Sequence, residues 1–213
     1  MNKAITAIAA IGTSLMMGLS AYASVSPRME QETNWNMKYP VVTAGSNWSA
    51  SQAINADIEG YYNNLRRAFN QGRYYKCGSN YSVNYEDSDV ISITLFFLEF
   101  PYGGNGNHMV NHDLVYDKHT GERIPLSNYV RVTPQDLEYY MGGHTYSVTG
   151  KLLNYNQLQA RTINRVPENY FLMGGGVVCI AFQPYELAAG SFGSTYIRLD
   201  PQYIEYLNRK NQW

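Results

Sequence analysis

Four histidines, two cysteines and a scatter of carboxylates are the groups in this 213-residue chain able to hold a metal, attack a carbonyl or move a proton. His108 and His112 stand four apart. That interval puts two ligands on one face of a helix, but the surrounding residues read as strand, where it separates side chains by about 13 Å. His119 falls in a turn and His144 follows a diglycine, so the histidines assemble no zinc set. Glycoside cleavage needs two acids facing one cleft, and Glu99, Asp113, Asp117 and Glu186 are available for it. Gly190-Ser191-Phe192-Gly193-Ser194 lacks the spacing of a nucleophile elbow. The glycine-rich run at 103–106 is followed by neither Lys-Ser nor Lys-Thr and opens no helix, which separates it from a phosphate-binding loop. These residues lead us to expect no catalytic group, no metal and no cofactor, with a cell-wall glycan hydrolase built on loop carboxylates, or a structural protein of the envelope, as the alternatives.

Recognition is the chemistry the composition favours. The chain carries 20 tyrosines, a side chain that offers large amphipathic contact area at low entropic cost. Tyr61, Tyr62, Tyr81 and Tyr85 occupy helix and strand positions where a ring fills a core. Tyr102 and Tyr185 fall in loops. The contact set expected from them is Tyr102, Gly103, Gly104, Asn105, Asn107 and His108 in one loop, with Tyr185, Glu186 and Phe192 in another.

The elements that would position these loops begin behind a leader. Met1 to Lys3 carries a positive charge, Ala4 to Leu19 is uncharged and apolar, and Ala21-Tyr22-Ala23 is the small-x-small pattern of a cleavage site. The expected organisation is a signal peptide over 1–23, a polar tether over 24–38 and one domain over 39–213, giving a periplasmic or secreted monomer. An uncleaved anchor is the alternative reading of the leader. The remainder holds no further membrane-spanning run. With 45% hydrophobic residues, 15% charged and a net charge of −1, the chain must fold, and it has no surplus of Lys and Arg for a nucleic acid. Outside the cytoplasm, the two cysteines, Cys77 and Cys179, read as a disulfide. Such a bridge would close a loop of about 100 residues, worth on the order of 4 to 5 kcal/mol in the chain-entropy model. Two separate buried thiols are the alternative.

Periodicity supplies the rest. Ile54, Ile58, Tyr61, Tyr62, Leu65 and Phe69 recur at helical spacing behind a cap at Ser49 or Ser51, with Gly72 as the stop. Tyr81, Val83 and Tyr85 alternate as a half-buried strand, and Val90 to Phe100 suits a strand covered on both faces, so the two should form a hairpin. Met109 to Asp117 is extended. Helices are expected after Thr133-Pro134, across Leu153 to Asn164, and after Asp200-Pro201; strands at Tyr170 to Met173, Val177 to Phe182 and Thr195 to Leu199. Hairpins with helices between them predict an α+β domain whose sheet is mostly antiparallel with helices packed on it.

Taken in order, several segments resemble one known family. They are Tyr39-Pro40 leading to Ile54-Asn55; a strand ending in Tyr102-Gly103-Gly104; and His112 to Asp117 followed by Thr120-Gly121-Glu122-Arg123-Ile124-Pro125-Leu126-Ser127. Near the end come Asn169 to Leu172, Phe182 to Ala188 and Ile197-Arg198-Leu199. They are similar to the exported domain shared by lysozyme-sensing anti-sigma factors of the RsiV type and the non-catalytic part of PdaC-type peptidoglycan deacetylases. The resemblance covers about residues 39 to 207. It implies an exported α+β domain without an active site of its own, whose loops engage a lysozyme-like protein or peptidoglycan.

Overall fold

The computed structural model describes residues 25–104 and 106–212. The expected signal peptide and Asn105 lie outside the described residues. Among the described residues, two sheets and three helices form an α+β fold. The five-stranded sheet has the order β1-β2-β3-β4-β5, built from β1 (Val25–Glu32), β2 (Trp35–Val42), β3 (Tyr74–Glu86), β4 (Val90–Pro101) and β5 (His108–Asp117). It is antiparallel except at β2 and β3, where the intervening α1 (Trp48–Asn70) carries the chain back across the sheet.

The expected tether is a correction. Residues 25–32 and 35–42 pair as an antiparallel hairpin closed at Asn34, whose φ is 62°. Its composition is polar because β1 is a largely exposed edge, and its order comes from elsewhere. Trp35, Met37 and Tyr39 drop into the core under α1. Arg66 of α1 binds Glu30 and Glu32 at 2.9 Å each and lies 4.1 Å over the Trp35 ring. Burial would raise the Glu30 carboxyl, but hydrogen bonds from Trp35, Tyr39 and Arg66 bring it below the usual value.

Helix α1 buries Ala50, Ile54, Ile58, Tyr62 and Leu65 against Ile91, Ile93, Leu95 and Phe97 of β4 and Leu114 and Tyr116 of β5. Its cap is Asn47, not Ser49 or Ser51: the Asn47 side chain accepts from the Ala50 N–H at 3.1 Å. Gly121, at φ +81°, lets the turn after β5 press on this helix, since a Cβ there would stand 2.7 Å from the Ala50 carbonyl oxygen.

The opposite face of the sheet carries the second layer. Its four strands run β6-β9-β8-β7: β6 (Thr145–Ser147), β7 (Tyr170–Gly174), β8 (Val177–Phe182) and β9 (Thr195–Leu199), all antiparallel. β7 lies across β3, β4 and β5, and the Leu172 N–H donates to Ser92 of β4 at 3.0 Å. Helices α2 (Pro134–Met141) and α3 (Pro201–Lys210) cover β8 and β9 through Leu137, Met141, Ile204 and Leu207.

The helix expected over Leu153 to Asn164 is absent; a single 3-10 turn (Tyr155–Gln157) stands there. Its buried residues Leu153, Leu158 and Ile163 recur every five positions, a spacing that keeps no helical face apolar. The expected disulfide is also corrected, because Cys77 and Cys179 are free and buried. Cys77 belongs to the core on the α1 side of the large sheet, whereas Cys179 sits in β8, in the sheet stacked on the other side. The body of the sheet separates them. Burial, with Glu99 nearby, pushes the Cys77 thiol up to about 12 and raises Cys179 as well, so neither is a ready nucleophile.

Candidate functional site

The first expected contact loop joins β4 to β5, and every described residue from Tyr102 to His108 is exposed. Gly103 adopts φ +71°, and a Cβ on Gly104 would meet Pro101 at 2.7 Å, so the turn depends on both glycines. Tyr102 is 67% exposed and meets Tyr75 edge-on with centroids 5.7 Å apart. The second loop leaves β8 at Gln183. Its side-chain amide both donates to the Asn111 carbonyl (2.6 Å) and accepts from the Asn111 N–H (3.0 Å). Gln183 thereby covers β5, the edge of the large sheet, as a neighbouring strand would. It also anchors the second loop about 10 Å along β5 from His108, where the first loop ends.

Within that loop Tyr185 is held at φ +73° and is 75% exposed. Its ring lies against Gly190, where an added Cβ would fall 2.1 Å from Tyr185 Cζ. Glu186 is a turn residue: its carboxylate accepts from the Gln183 N–H at 2.7 Å and stands 4.0 Å from Arg165. Phe192 is half-buried against the second core and anchors the loop.

The four carboxylates considered for hydrolysis do not converge. Glu99 pairs in register with Cys77 and so faces α1, while Asp113 pairs with Thr94 and faces the small sheet. Asp117 caps the His119–Thr120 turn, and Glu186 is on the second loop. Of the histidines, His112 packs between Tyr61 (4.5 Å) and Phe97 (5.2 Å). Burial, with Arg123 beside it, lowers its pKa to about 4 and keeps it neutral. Among the described residues no group of His, Cys, Asp and Glu is placed to hold a metal ion.

A second feature lies between the sheets. Ser82 donates to Asn84 (2.9 Å), Asn84 to Thr94 (2.7 Å) and Thr94 to Asp113 Oδ1 (2.5 Å), a row of donors that crosses three strands and ends on a carboxylate. Asp113 is only 6% exposed and its Oδ2 has no partner. Burial drives its pKa up to about 6 against the pull of the Thr94 bond. Asp113 forms part of the wall of a cavity of about 520 Å³ bounded by β5, residues 123–132 and residues 166–170. The other walls are mostly apolar, among them Val115, Ile124, Leu126, Val130, Val166 and Tyr170, and the exposed Arg131 and Glu168 join them. In the sequence the signal was an acid alternating into the buried run Leu114-Val115-Tyr116. Arg131, Glu168 and Tyr170 come from segments with no common motif and carried no signal.

No family model matches the chain, and no curated protein does. Solved structures supply the likeness. A DUF3298 family member from Bacteroides fragilis superimposes with TM-score 0.61 at 10% identity, covering 86% of this chain and 92% of that one. A DUF3298 family protein from Pseudomonas aeruginosa gives TM-score 0.54 at 9% identity, with 85% and 90% covered. The α+β architecture is therefore that of DUF3298 family proteins over most of both chains.

Proposed function

We propose that this protein is an exported, non-enzymatic recognition domain whose loops 101–108 and 184–192 contact a lysozyme-like enzyme or peptidoglycan. The observation that carries the reading is the pair of exposed tyrosines, Tyr102 and Tyr185, each on a glycine-dependent turn and both on loops anchored to β5. A tyrosine held in one orientation by a rigid turn binds with little further loss of rotamer freedom, which suits either a sugar face or a protein surface. The resemblance to RsiV- and PdaC-type exported domains supports the same assignment; the fold shared with DUF3298 family proteins supports the α+β scaffold on which the loops sit. In this reading the leader at 1–23 is cleaved after Ala23 and the mature domain works in the periplasm or the medium.

Pull-down and calorimetry with lysozyme and with purified peptidoglycan test this reading and tell the two partners apart. Binding to one of them that falls at least about tenfold in the Tyr102→Ala/Tyr185→Ala double variant is the expected result, since two buried rings account for well over 1.4 kcal/mol. Absence of binding to both at millimolar concentration removes the proposal. The Gly190→Ala variant separates loop presentation from folding. Its Cβ would push the far end of the Tyr185 ring out of its place, so thermal stability should change little while binding weakens.

A further inference from the structure

We propose that the cavity beside β5 is a small-molecule site whose ligand is a primary ammonium group carried on an apolar body, with Asp113 as its anchor. None of the residues of the two contact loops lines this cavity, so the proposal stands or falls apart from the loop reading. A carboxylate removed from water costs several kcal/mol unless its oxygens are served by donors or a counter-charge. Asp113 has one donor, Thr94 Oγ1, on Oδ1 and none on Oδ2. Neither basic residue of the wall, Arg123 or Arg131, forms an ion pair with Asp113. Arg123 donates to Asp57 at 2.6 Å and to the Tyr61 hydroxyl at 2.5 Å, both on α1, so its charged end is committed to the helix.

A partner for the ionised carboxylate would come from the cavity that Asp113 lines. A charge-assisted N⁺–H···O⁻ bond is about twice as strong as a neutral one, and the apolar surroundings of Asp113 leave little solvent to weaken it. The volume, about 520 Å³, lies within the range of sites that enclose a small organic molecule. Its walls of Val115, Ile124, Leu126, Val130 and Val166 match an aliphatic body and offer a lone water few of the partners it needs. Of the charged residues in the wall, Arg123 is tied to α1, Arg131 and Glu168 are exposed and opposite in sign, and Asp113 is buried with an unpartnered oxygen, so the buried charge a ligand would meet is negative. A primary –NH3⁺ can donate an N–H to the unpartnered Oδ2, whereas a trimethylated ammonium has no N–H to give.

The experiment is calorimetry and amide-shift NMR on the whole protein with hexylammonium, hexanol, hexanoate and hexyltrimethylammonium. We expect hexylammonium to bind at least about tenfold tighter than the other three. Asp113→Asn should remove that advantage while leaving hexanol within about twofold, and Val166→Trp, which fills the cavity and keeps the acid, should abolish binding of both. Hexylammonium that binds Asp113→Asn or Val166→Trp as well as the wild type overturns the proposal. So does failure of hexylammonium to bind at all, which leaves a water-filled cavity only.

Discussion

Two aspartates in different parts of this molecule are both closed to solvent and sit in opposite electrostatic states. Asp136, at the first turn of α2, is 3% exposed, and Asp113, between the sheets, is 6% exposed. Asp136 accepts from the Thr133 N–H (2.9 Å) and hydroxyl (2.7 Å), from Asn211 (2.8 Å), and from the Lys210 ammonium. Burial pulls its pKa upward, but these bonds outweigh it and bring it to about 2. Asp113 has the Thr94 hydroxyl alone and rises to about 6. Asp113 is the more deeply set of the two as well as the poorer in donors, and depth and donor number together decide the sign. The saturated carboxylate is a structural clasp between α2 and α3, and the unsaturated one faces a cavity.

The largest effect expected from this contrast is at Asp136. Replacing it by Asn leaves Lys210 without its counter-ion and puts an amide donor among donors, which should cost roughly 3 kcal/mol of stability at neutral pH. The wild-type contribution is fully present above the ordinary carboxylate pKa and is lost as pH falls toward about 2, because only the unfolded chain takes up the proton in that interval. Urea denaturation followed over pH 2 to 7 measures it.

Asp113 carries the reverse sign. Between about pH 4 and pH 6 the folded protein holds a proton that the unfolded chain has released, so its contribution falls as pH rises. The stability of Asp113→Asn minus that of the wild type should therefore grow with pH, by about 2 to 3 kcal/mol between pH 4 and pH 7.5. A flat difference would mean that Asp113 is not buried as an unpartnered acid.

A smaller effect sharpens the contrast across one strand. His112, the neighbour of Asp113 on the opposite face of β5, stays neutral down to about pH 4, so its contribution is lost as pH falls from the ordinary histidine value toward 4. The two slopes oppose each other over about pH 4 to 6. The wild type should be nearly flat there, Asp113→Asn should lose stability on acidification, and His112→Phe should gain it. The smallest expected effect is at the cysteines: both thiols should stay silent to Ellman's reagent until the protein unfolds and then titrate as free, and reductant should leave Tm unchanged.

Much of the scaffold was legible because its determinants are local. The apolar positions of α1 repeat at helical spacing, the glycines at 72 and 174–176 take the positive φ that ends an element or turns a hairpin, and Thr133-Pro134-Asp136 builds its own capping box. The β1–β2 hairpin was not legible. Its polar residues became ordered strand only once Arg66, distant in sequence, met Glu30, Glu32 and Trp35. The loop tyrosines could be picked out from their glycines, whereas the cavity could not, since its walls come from three segments that only packing brings together.

By itself the sequence determined the α+β character, the main helix, the central hairpin and the two tyrosine-bearing loops, because helical spacing, strand alternation and turn glycines act over a few residues. Only the tertiary structure decided that the cysteines stand on opposite sides of a sheet, that Gln183 closes the β5 edge, and that one buried aspartate is saturated while the other is left short of donors. Those outcomes depend on which distant groups arrive at the same place. Hydrogen-bond supply inside a protein is a property of the assembled layers and not of any one segment.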